Sequence, residues 1–193
     1  NVEGSYLGDF LERASAQMSV ARNAITDDQF DRICSMLSEP KRRIFILGGR
    51  IRDTIAAHLS FHLRQARAGV YHLPLNAEVW PEYLLRMKHG DIFFVMDFRR
   101  YQPALTELVQ KASSVRGARV IVMTDKWISP AARHASDILP VPIESGTLWD
   151  TYSPALAVIE AIVTKIAEDN WDQTRDRIES WDRLRFNDKD RIY

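Results

Sequence analysis

A short apolar run that ends in two glycines constrains the fold of this chain more than any other feature. The apolar run Ile44–Leu47 is too short for a helix and rich in Ile and Phe, so it predicts a buried strand at 44–48. Gly48 and Gly49 follow it, and from Arg52 onward the apolar residues take helical spacing. A strand that passes through a glycine turn into a helix gathers backbone N–H groups at a positive helix end, which suits an anion. Such turns also serve merely to reverse the chain, so the pattern alone leaves both interpretations open.

The alternation of strands and helices continues along the chain. Further apolar runs predict strands at 70–73, 92–96, 119–124 and 137–141, each separated from the next by helical spacing. This rhythm predicts a three-layer α/β sandwich with a parallel sheet. Five such strands favour a flavodoxin-like order, in which strands one and three lie side by side. That order would bring the loop at Gly48–Asp53 against the loop at Asp97–Gln102, and we expect the ligand crevice between them.

Helical patterns extend the chain beyond the predicted sheet at both ends. The first helix has one apolar face, formed by Leu7, Leu11, Ala14, Met18, Ala21 and Ile25. Thr26–Gln29 has the spacing of a capping box and should begin a second helix. A charged tail keeps one apolar edge, formed by Trp171, Ile178, Trp181 and Leu184. We therefore expect one domain over 1–193, with N-terminal helices at 1–40, an α/β core at 41–169 and a helical tail at 170–193.

Composition narrows the class of protein. The chain has 193 residues, which suits one domain, and its 26 basic and 26 acidic residues favour neither nucleic acid nor an anionic membrane. No apolar run approaches the roughly 18 residues that a membrane span needs. The single cysteine, Cys34, cannot form an internal disulfide and lies on a predicted apolar stripe, so we expect a packed core thiol in a cytoplasmic protein. The chain opens on Asn1 rather than methionine, and we expect that a segment has been removed upstream.

Arginines are concentrated in the two loops that should meet. The charged residues there are Arg50, Arg52, Arg99 and Arg100, with Asp53 and Asp97 beside them. Converging guanidinium groups repel one another unless an anion lies between them, and phosphate or carboxylate matches their planar donor fork. Alternatively, Asp53, Asp97 and Glu144 neutralise the arginines internally. Asp97 ends a buried strand and needs a partner wherever it points inward. Tyr101 either lines the same cleft or is simply exposed.

Several runs give the chain a resemblance to a known family. They are Ile44–Arg50, Asp97–Tyr101, Thr124–Ala132, Ala135–Val141 and Glu144–Ser145. On these runs, residues 40–170 resemble the sugar isomerase (SIS) domain, and specifically the C-terminal effector domain of RpiR-type transcriptional regulators. The resemblance implies a five-stranded parallel sheet, a homodimer or higher homo-oligomer, and a phosphosugar site at the tips of strands one and three. It also implies that DNA is bound only through an N-terminal helix-turn-helix domain, which this sequence does not contain.

The matching loops depart from the family pattern. The family's first loop commonly reads Gly-x-Gly-x-Ser, which corresponds to Gly48–Arg52, and its second reads Ser-x-Ser-Gly-x-Thr, which corresponds to Asp97–Gln102. Long charged side chains thus replace the small hydroxyl donors. Either the arginines hold the anion, or the site takes something other than an ordinary phosphosugar, or it takes no ligand. The predicted ligand-binding residues are Gly48, Gly49, Arg50, Arg52, Asp97, Arg99, Arg100, Tyr101, Ser129, Glu144 and Ser145.

Catalysis and metal binding are the weaker alternatives. Aldose–ketose isomerisation needs a base and an acid, and the resemblance implies Glu144 as the base. The helix after Glu144 supplies no inward-facing histidine, and a capping or ion-pair role for Glu144 is favoured. His58 and His62 have the spacing of two zinc ligands but lack a third, so we predict no metal and no cofactor. The sequence therefore predicts a non-catalytic domain that binds a small anionic sugar derivative; the alternatives are a sugar-phosphate isomerase or a ligand-free dimerisation module.

Overall fold

The computed structural model describes residues 5–185 of the chain. Its strands are β1 (Ile44–Gly48), β2 (Val70–His72), β3 (Ile92–Met96), β4 (Arg119–Thr124) and β5 (Asp137–Pro140). The α-helices within 5–185 are α1 (Tyr6–Ala24), α2 (Asp27–Ser38), α3 (Asp53–Ala66), α4 (Trp80–Arg86), α5 (Pro103–Ser114), α6 (Ser153–Asp169) and α7 (Trp171–Arg183). Short 3₁₀ turns lie at Arg50–Arg52, Ala77–Val79 and Pro130–His134.

All five strands form one parallel sheet in the order β2-β1-β3-β4-β5. In β1, Ile46 pairs with His72 of β2 on one side and with Phe94 of β3 on the other. The predicted α/β class and flavodoxin-like order are therefore confirmed. Because β1 and β3 are neighbours and parallel, the loops that follow them leave the same edge of the sheet.

Both faces of the sheet are buried, and side chains alternate between two apolar cores. Ile46 and Phe94 point into the core shared with α2, α3 and α6. Phe45 and Phe93 point the other way, into the core shared with α4 and α5. This double burial explains why the strands are continuous apolar runs rather than alternating ones. Cys34 is buried in the first core, and burial raises the pKa of its thiol, in keeping with a packed core cysteine.

The predicted apolar face of α1 is only partly buried. Ala14 and Ala21 pack inward, whereas Leu7, Leu11 and Met18 are 64%, 56% and 42% exposed. The helix packs against α6 and the edge strand β5, where small side chains permit close contact and the larger ones project past the contact. A single chain therefore covers only the small residues of this apolar face.

The predicted capping box at the start of α2 is half formed. Thr26 Oγ1 accepts a hydrogen bond from Gln29 N–H at 3.2 Å, as the pattern requires. The Gln29 side chain does not return to Thr26; its amide donates to the carbonyl oxygen of Ile138 at 2.7 Å. Gln29 thus links α2 to the edge strand β5, a tertiary contact that local spacing does not reveal.

The tail helix α7 docks against α3 through a small contact. Thr174 is its buried residue, and Arg177 Nε donates to the carbonyl oxygen of Arg64 at 2.6 Å. Trp171 and Trp181 are 55% and 37% exposed, so the predicted apolar edge is only partly covered. The predicted tail runs to residue 193, and its part at 186–193 lies outside the described residues, as does 1–4 of the predicted N-terminal helices. Over 5–185, no helix combines the length and apolar character needed to cross a membrane.

Candidate functional site

The loops after β1 and β3 lie against each other at the carboxyl edge of the sheet. The Gly49 N–H donates to the carbonyl oxygen of Met96 at 3.1 Å, and Arg52 Nη2 donates to that of Arg99 at 2.6 Å. A Cβ on Gly49 would lie 3.2 Å from Gln102 Oε1. These contacts confirm that the two loops meet. We call the region formed by residues 48–53, 97–102 and 125–129 the strand-end crevice.

The glycine turn uses its own donors within the chain. Gly48 has no room for a side chain, because a Cβ there would lie 2.5 Å from the carbonyl oxygen of Arg52. Its N–H donates to Asp53 Oδ1 at 3.0 Å, and Asp53 Oδ1 also lies 2.8 Å from His72 Nε2. With the Gly49 N–H bonded to Met96, both predicted glycine donors are occupied. The two glycine N–H groups are therefore not available to an anion at this turn.

Arg52 is the buried arginine of the crevice. It is 6% exposed, and its guanidinium lies 5.9 Å from the centre of the Tyr152 ring. Its Nη2 holds the Arg99 carbonyl, while its Nε finds no hydrogen-bond partner among the described residues. A buried guanidinium with an unpaired donor is costly, since its desolvation is not fully compensated. Arg52 thus fixes one loop to the other and leaves one donor unsatisfied.

Arg99 is neutralised within the chain by a carboxylate that sequence reasoning missed. Its Nε donates to Asp150 Oδ2 at 3.1 Å and its Nη2 contacts Asp150 Oδ1. The hydrogen bond to Asp150 raises the pKa of Arg99. The guanidinium also lies over the Trp127 ring, 5.4 Å from its centre. In the sequence, the one hint of a role for Asp150 is its position just before a helix. Its pairing with Arg99 could not be predicted, because it depends on how a distant loop folds back.

Three residues with side chains adopt the left-handed backbone conformation around the crevice. They are Arg50 with φ 53°, Arg100 with φ 66° and Ile128 with φ 61°, one in each loop that follows β1, β3 and β4. Residues other than glycine rarely adopt this conformation, and such strain gathers where function or packing fixes the backbone. Arg50 and Arg100 are exposed, and neither forms an ion pair with a described residue.

Asp97 is buried at the end of β3. It is 2% exposed and accepts a hydrogen bond from Ser129 Oγ, itself 1% exposed. Burial raises the pKa of Asp97 from 3.8 to about 6, against the opposing effects of Ser129 and the Arg52 charge. The predicted site residues Asp97 and Ser129 are therefore brought together, as an internal pair.

A second buried carboxylate, Asp125, organises the loop after β4. It accepts hydrogen bonds from Tyr101 Oη at 2.6 Å, from Trp127 N–H at 3.0 Å and from Arg99 N–H. Tyr101 therefore lies in the crevice with its hydroxyl bonded. Burial and the hydrogen bond to Asp125 both raise the pKa of Tyr101, so it remains a neutral donor at physiological pH.

Glu144 and Ser145 lie beside the crevice with partners of their own. The Glu144 carboxylate pairs with Lys126, and its carbonyl oxygen accepts from Gln17 Nε2 at 2.6 Å. Partial burial raises the pKa of Glu144, but Lys126 and backbone hydrogen bonds outweigh it and leave that pKa below its usual value. Ser145 is buried, and its hydroxyl donates to the carbonyl oxygen of Trp149 at 2.5 Å.

The histidine pair on α3 lies away from the crevice. The rings of His58 and His62 are 4.6 Å apart, and His58 Nε2 lies 3.9 Å from Glu160 Oε1. Burial and the neighbouring His58 lower the pKa of His62. Among residues 5–185, no three His, Cys, Asp or Glu side chains are grouped so that they could hold a metal ion.

Sequence comparison assigns the chain to a family. The family model described as SIS domain matches residues 36–165. The chain belongs to the SIS domain family. No curated protein matches the chain.

Solved structures of SIS proteins share this fold at low sequence identity. The sugar isomerase domain of the RpiR transcription factor from Sphaerobacter thermophilus has a TM-score of 0.85 at 15% identity, covering 94% of this chain and 100% of that one. The Vibrio vulnificus NanR protein, complexed with ManNAc-6P, has a TM-score of 0.78 at 15% identity, covering 96% of this chain and 72% of that one. Escherichia coli CFT073 c3406, in complex with a ligand, has a TM-score of 0.74 at 14% identity, covering 91% of this chain and 95% of that one. These similarities establish the fold.

Comparison with the SIS loop pattern helps to explain the backbone conformation of Arg100. Arg100 occupies the position where the second SIS loop commonly has glycine, and its φ of 66° keeps the conformation that glycine adopts easily. A long cationic side chain therefore projects from a backbone conformation that glycine adopts more easily.

Proposed function

We propose that this SIS domain is the effector-binding domain of an RpiR-type transcriptional regulator, and that it binds an acidic sugar derivative without catalysis. The ligand is a phosphosugar or a sugar acid. In this proposal 1–193 is one domain that acts as a homodimer, and DNA is bound only through an N-terminal helix-turn-helix domain. Ligand binding then acts by favouring one dimer geometry over another.

The cationic rim of the strand-end crevice carries the proposal. Arg50 and Arg100 are exposed there, held in left-handed backbone and without an ion pair within 5–185, on either side of the contact between the two loops. Guanidinium groups in such an arrangement bind phosphate or carboxylate through paired N–H donors. Arg52 and Asp97 hold the loops from beneath, and in this proposal Glu144 and Ser145 contact sugar hydroxyls.

Named relatives support the choice of ligand class. NanR was solved with ManNAc-6P, and c3406 was likewise solved with a sugar phosphate. In the present chain arginines stand at two of the usual serine positions, as Arg52 and Arg99, and Asp97 and Gln102 stand at the other serine and the threonine. This exchange favours a ligand whose recognition depends on charge rather than on small hydroxyl groups.

An isomerase and a ligand-free module remain the competing functions. The first needs Glu144 as a base, but its pairing with Lys126 and its lowered pKa make it a weak one at neutral pH. The second gains from the internal Arg99–Asp150 pair, which fills one anion position with the chain's own carboxylate. Neither competing function explains why Arg50 and Arg100 are kept in strained backbone at the same rim.

A thermal-shift screen against phosphosugars and sugar acids tests the proposal. We expect at least one of them to raise the melting temperature of the wild type. Arg100→Ala should weaken binding of that ligand at least about tenfold, since a charged hydrogen bond is worth about 1.5–3 kcal/mol. Arg175→Ala, at an exposed site on α7, is the matched control and should bind like wild type. Absence of any shift would overturn the proposal, and turnover that disappears in Glu144→Gln would replace it with the isomerase.

A further inference from the structure

The segment between β5 and α6, residues 141–152, touches both the crevice and the N-terminal helix. Its Asp150 pairs with Arg99, and its Glu144 carbonyl oxygen accepts from Gln17 of α1 at 2.6 Å. A Cβ on Gly146 would lie 3.8 Å from Arg13 Cδ, also on α1. We call residues 141–152 the β5–α6 segment. It is a single short connection from the candidate site to the first helix.

Hydrogen bonds within the β5–α6 segment close residues 143–151 into a loop, whereas Val141 and Ile143 at its start are buried in the core. The Thr151 N–H donates to the carbonyl oxygen of Ile143 at 2.8 Å and closes the base of the loop. Ser145 Oγ bonds across the loop to the carbonyl oxygen of Trp149 at 2.5 Å. Leu148 at the tip is 86% exposed. Compact loops of this kind, packed by their own side chains, are often functional.

The contact between Arg99 and Asp150 imitates the binding of an anionic ligand. A carboxylate engages the guanidinium through two donors, as an acidic sugar would. The Arg99 side chain is 43% exposed, so the pair is reachable by a competitor and is weak enough to exchange. The Trp127 ring beneath the guanidinium would keep it in place when Asp150 departs.

We propose that Asp150 is a built-in competitor for the anion site, and that the ligand displaces it from Arg99. Release of Asp150 loosens the loop at 143–151, and this changes the Gln17–Glu144 hydrogen bond that joins the loop to α1. This inference rests on the proposed function and adds how the same site is regulated. Site occupancy is thereby reported to the helix nearest the N-terminus, because a ligand that binds the displaced state better shifts the population toward it.

Binding of 6-phosphogluconate, which carries both a phosphate and a carboxylate, tests the competition. Asp150→Asn removes the competing charge, and we expect it to bind about fivefold more tightly than wild type, as loss of an exposed ion pair of about 1 kcal/mol predicts. In an Arg99→Gln background, Asp150→Asn should give no further gain. Glu82→Gln, which breaks a distant exposed pair with Arg86, is the control and should leave affinity unchanged.

The outcomes separate the two proposals. Equal affinity of wild type and Asp150→Asn would overturn the displacement and leave the proposed function standing. A gain that persists with Gln at position 99 would overturn it too, since it would then be a general charge effect. If neither protein binds 6-phosphogluconate, ManNAc-6P or any member of the phosphosugar and sugar-acid screen, both proposals fail.

Hydrogen exchange tests the link to α1. Asp150→Asn should exchange faster than wild type within 144–150 even without ligand, because that segment loses its anchor on Arg99. Ligand should change exchange in α1 around Gln17 in the wild type. Gln17→Leu should keep the affinity but abolish that change in α1. Unchanged exchange at 144–150 in Asp150→Asn, or an intact response of α1 in Gln17→Leu, would overturn the link.

Discussion

The carboxyl group of Asp97 is disfavoured in its ionised form by burial in the crevice. It lies 2% exposed beneath the arginine-bearing loops, bonded to Ser129. Burial raises its pKa from 3.8 to about 6, so the folded protein retains a proton that the unfolded chain has already lost in this range. Its contribution to stability is fully present below pH 4 and is lost as the pH rises through about 6.

Asp97→Asn should therefore gain stability relative to wild type as the pH rises. The free energy of unfolding of the variant minus that of wild type should increase by about 2–2.5 kcal/mol between pH 4 and pH 7, and level off above that range. Asparagine keeps an acceptor for Ser129 and removes the ionisation. Urea unfolding at several pH values measures the difference, and Asp169→Asn on the surface of α6 serves as the control. If the stability difference between the two proteins did not change with pH, the pKa of Asp97 would be the same in the folded and unfolded states.

Ile128 tests the backbone strain around the crevice. A β-branched residue at φ 61° is strongly disfavoured, and this side chain is 40% exposed, so packing compensates only partly. We expect Ile128→Gly to be more stable than Ile128→Ala by about 1 kcal/mol, because only glycine lacks the Cβ that makes this conformation costly. Both variants remove the branched side chain, so each controls for the other in thermal unfolding. In ordinary helix or strand the order is reversed, and finding that order here would contradict the strained backbone.

Residue type alone predicts which side chains gather at the site, but not which of them pair. The arginines, Asp97 and Tyr101 are recognisable because charge at the end of an apolar strand must be compensated. Asp125 and Asp150, which accept from Tyr101 and Arg99, are not, since their partners lie 24 and 51 positions away in the sequence. Long-range pairing depends on the sheet order, which has to be assembled first.

At the scale of elements, one arginine joins the end of α2 to the end of α3. Arg67 follows α3, and its guanidinium donates to the carbonyl oxygens of Leu37 at 2.6 Å, Glu39 at 2.9 Å and Arg42. The last carbonyls of a helix have no partner within it, so Arg67 satisfies groups that would otherwise lack one. Partial burial lowers its pKa, as expected for a cation held among carbonyl groups rather than carboxylates.

Arg67→Met should weaken the junction between α2, α3 and β1. We expect a loss of about 2–3 kcal/mol in the free energy of unfolding, because several hydrogen bonds to one charged donor are removed together. Arg22→Met, on the exposed side of α1, should cost less than about 0.5 kcal/mol. Denaturant unfolding measures both variants. Equal, small losses would mean that water replaces Arg67 at these carbonyl groups.

The positions of helices and strands follow closely from the periodicity of the sequence, whereas the contacts that their side chains make with other elements do not. β1, β3 and β4 have the predicted bounds, since runs of buried Ile, Val and Phe flanked by glycine or charge leave little choice. The start of α5 at Pro103 is likewise set by a proline suited to a first turn. The second half of the capping box at Thr26 failed because Gln29 found a partner on β5, and a local rule cannot anticipate that competition.

At the scale of the whole molecule, the order of strands in the sheet is the one that the alternation of strands and helices predicts, and the two arginine-bearing loops lie together. What the sequence could not predict is how completely the outer helices are covered. α1 contacts the rest of the chain through Ala14, Ala21 and the Gln17 amide, a narrow strip. An amphipathic pattern identifies the side that avoids water, but it does not say whether the same chain or a second copy covers it.

A second copy is the occupant that we predict for the uncovered side of α1. Leu7, Leu11 and Met18 are 64%, 56% and 42% exposed, on the helix that the β5–α6 segment touches. Packing them against the same residues of another chain would bury them in a symmetric interface, in which a charge is costly because it is desolvated. We therefore expect the wild type to sediment as a dimer at micromolar concentrations and Leu11→Glu to sediment as a monomer. Leu85→Glu adds the same charge at a 75% exposed position on α4 and should stay dimeric. If both variants keep the wild-type sedimentation coefficient, α1 does not form the interface, and the ligand response of α1 would have to act within one chain.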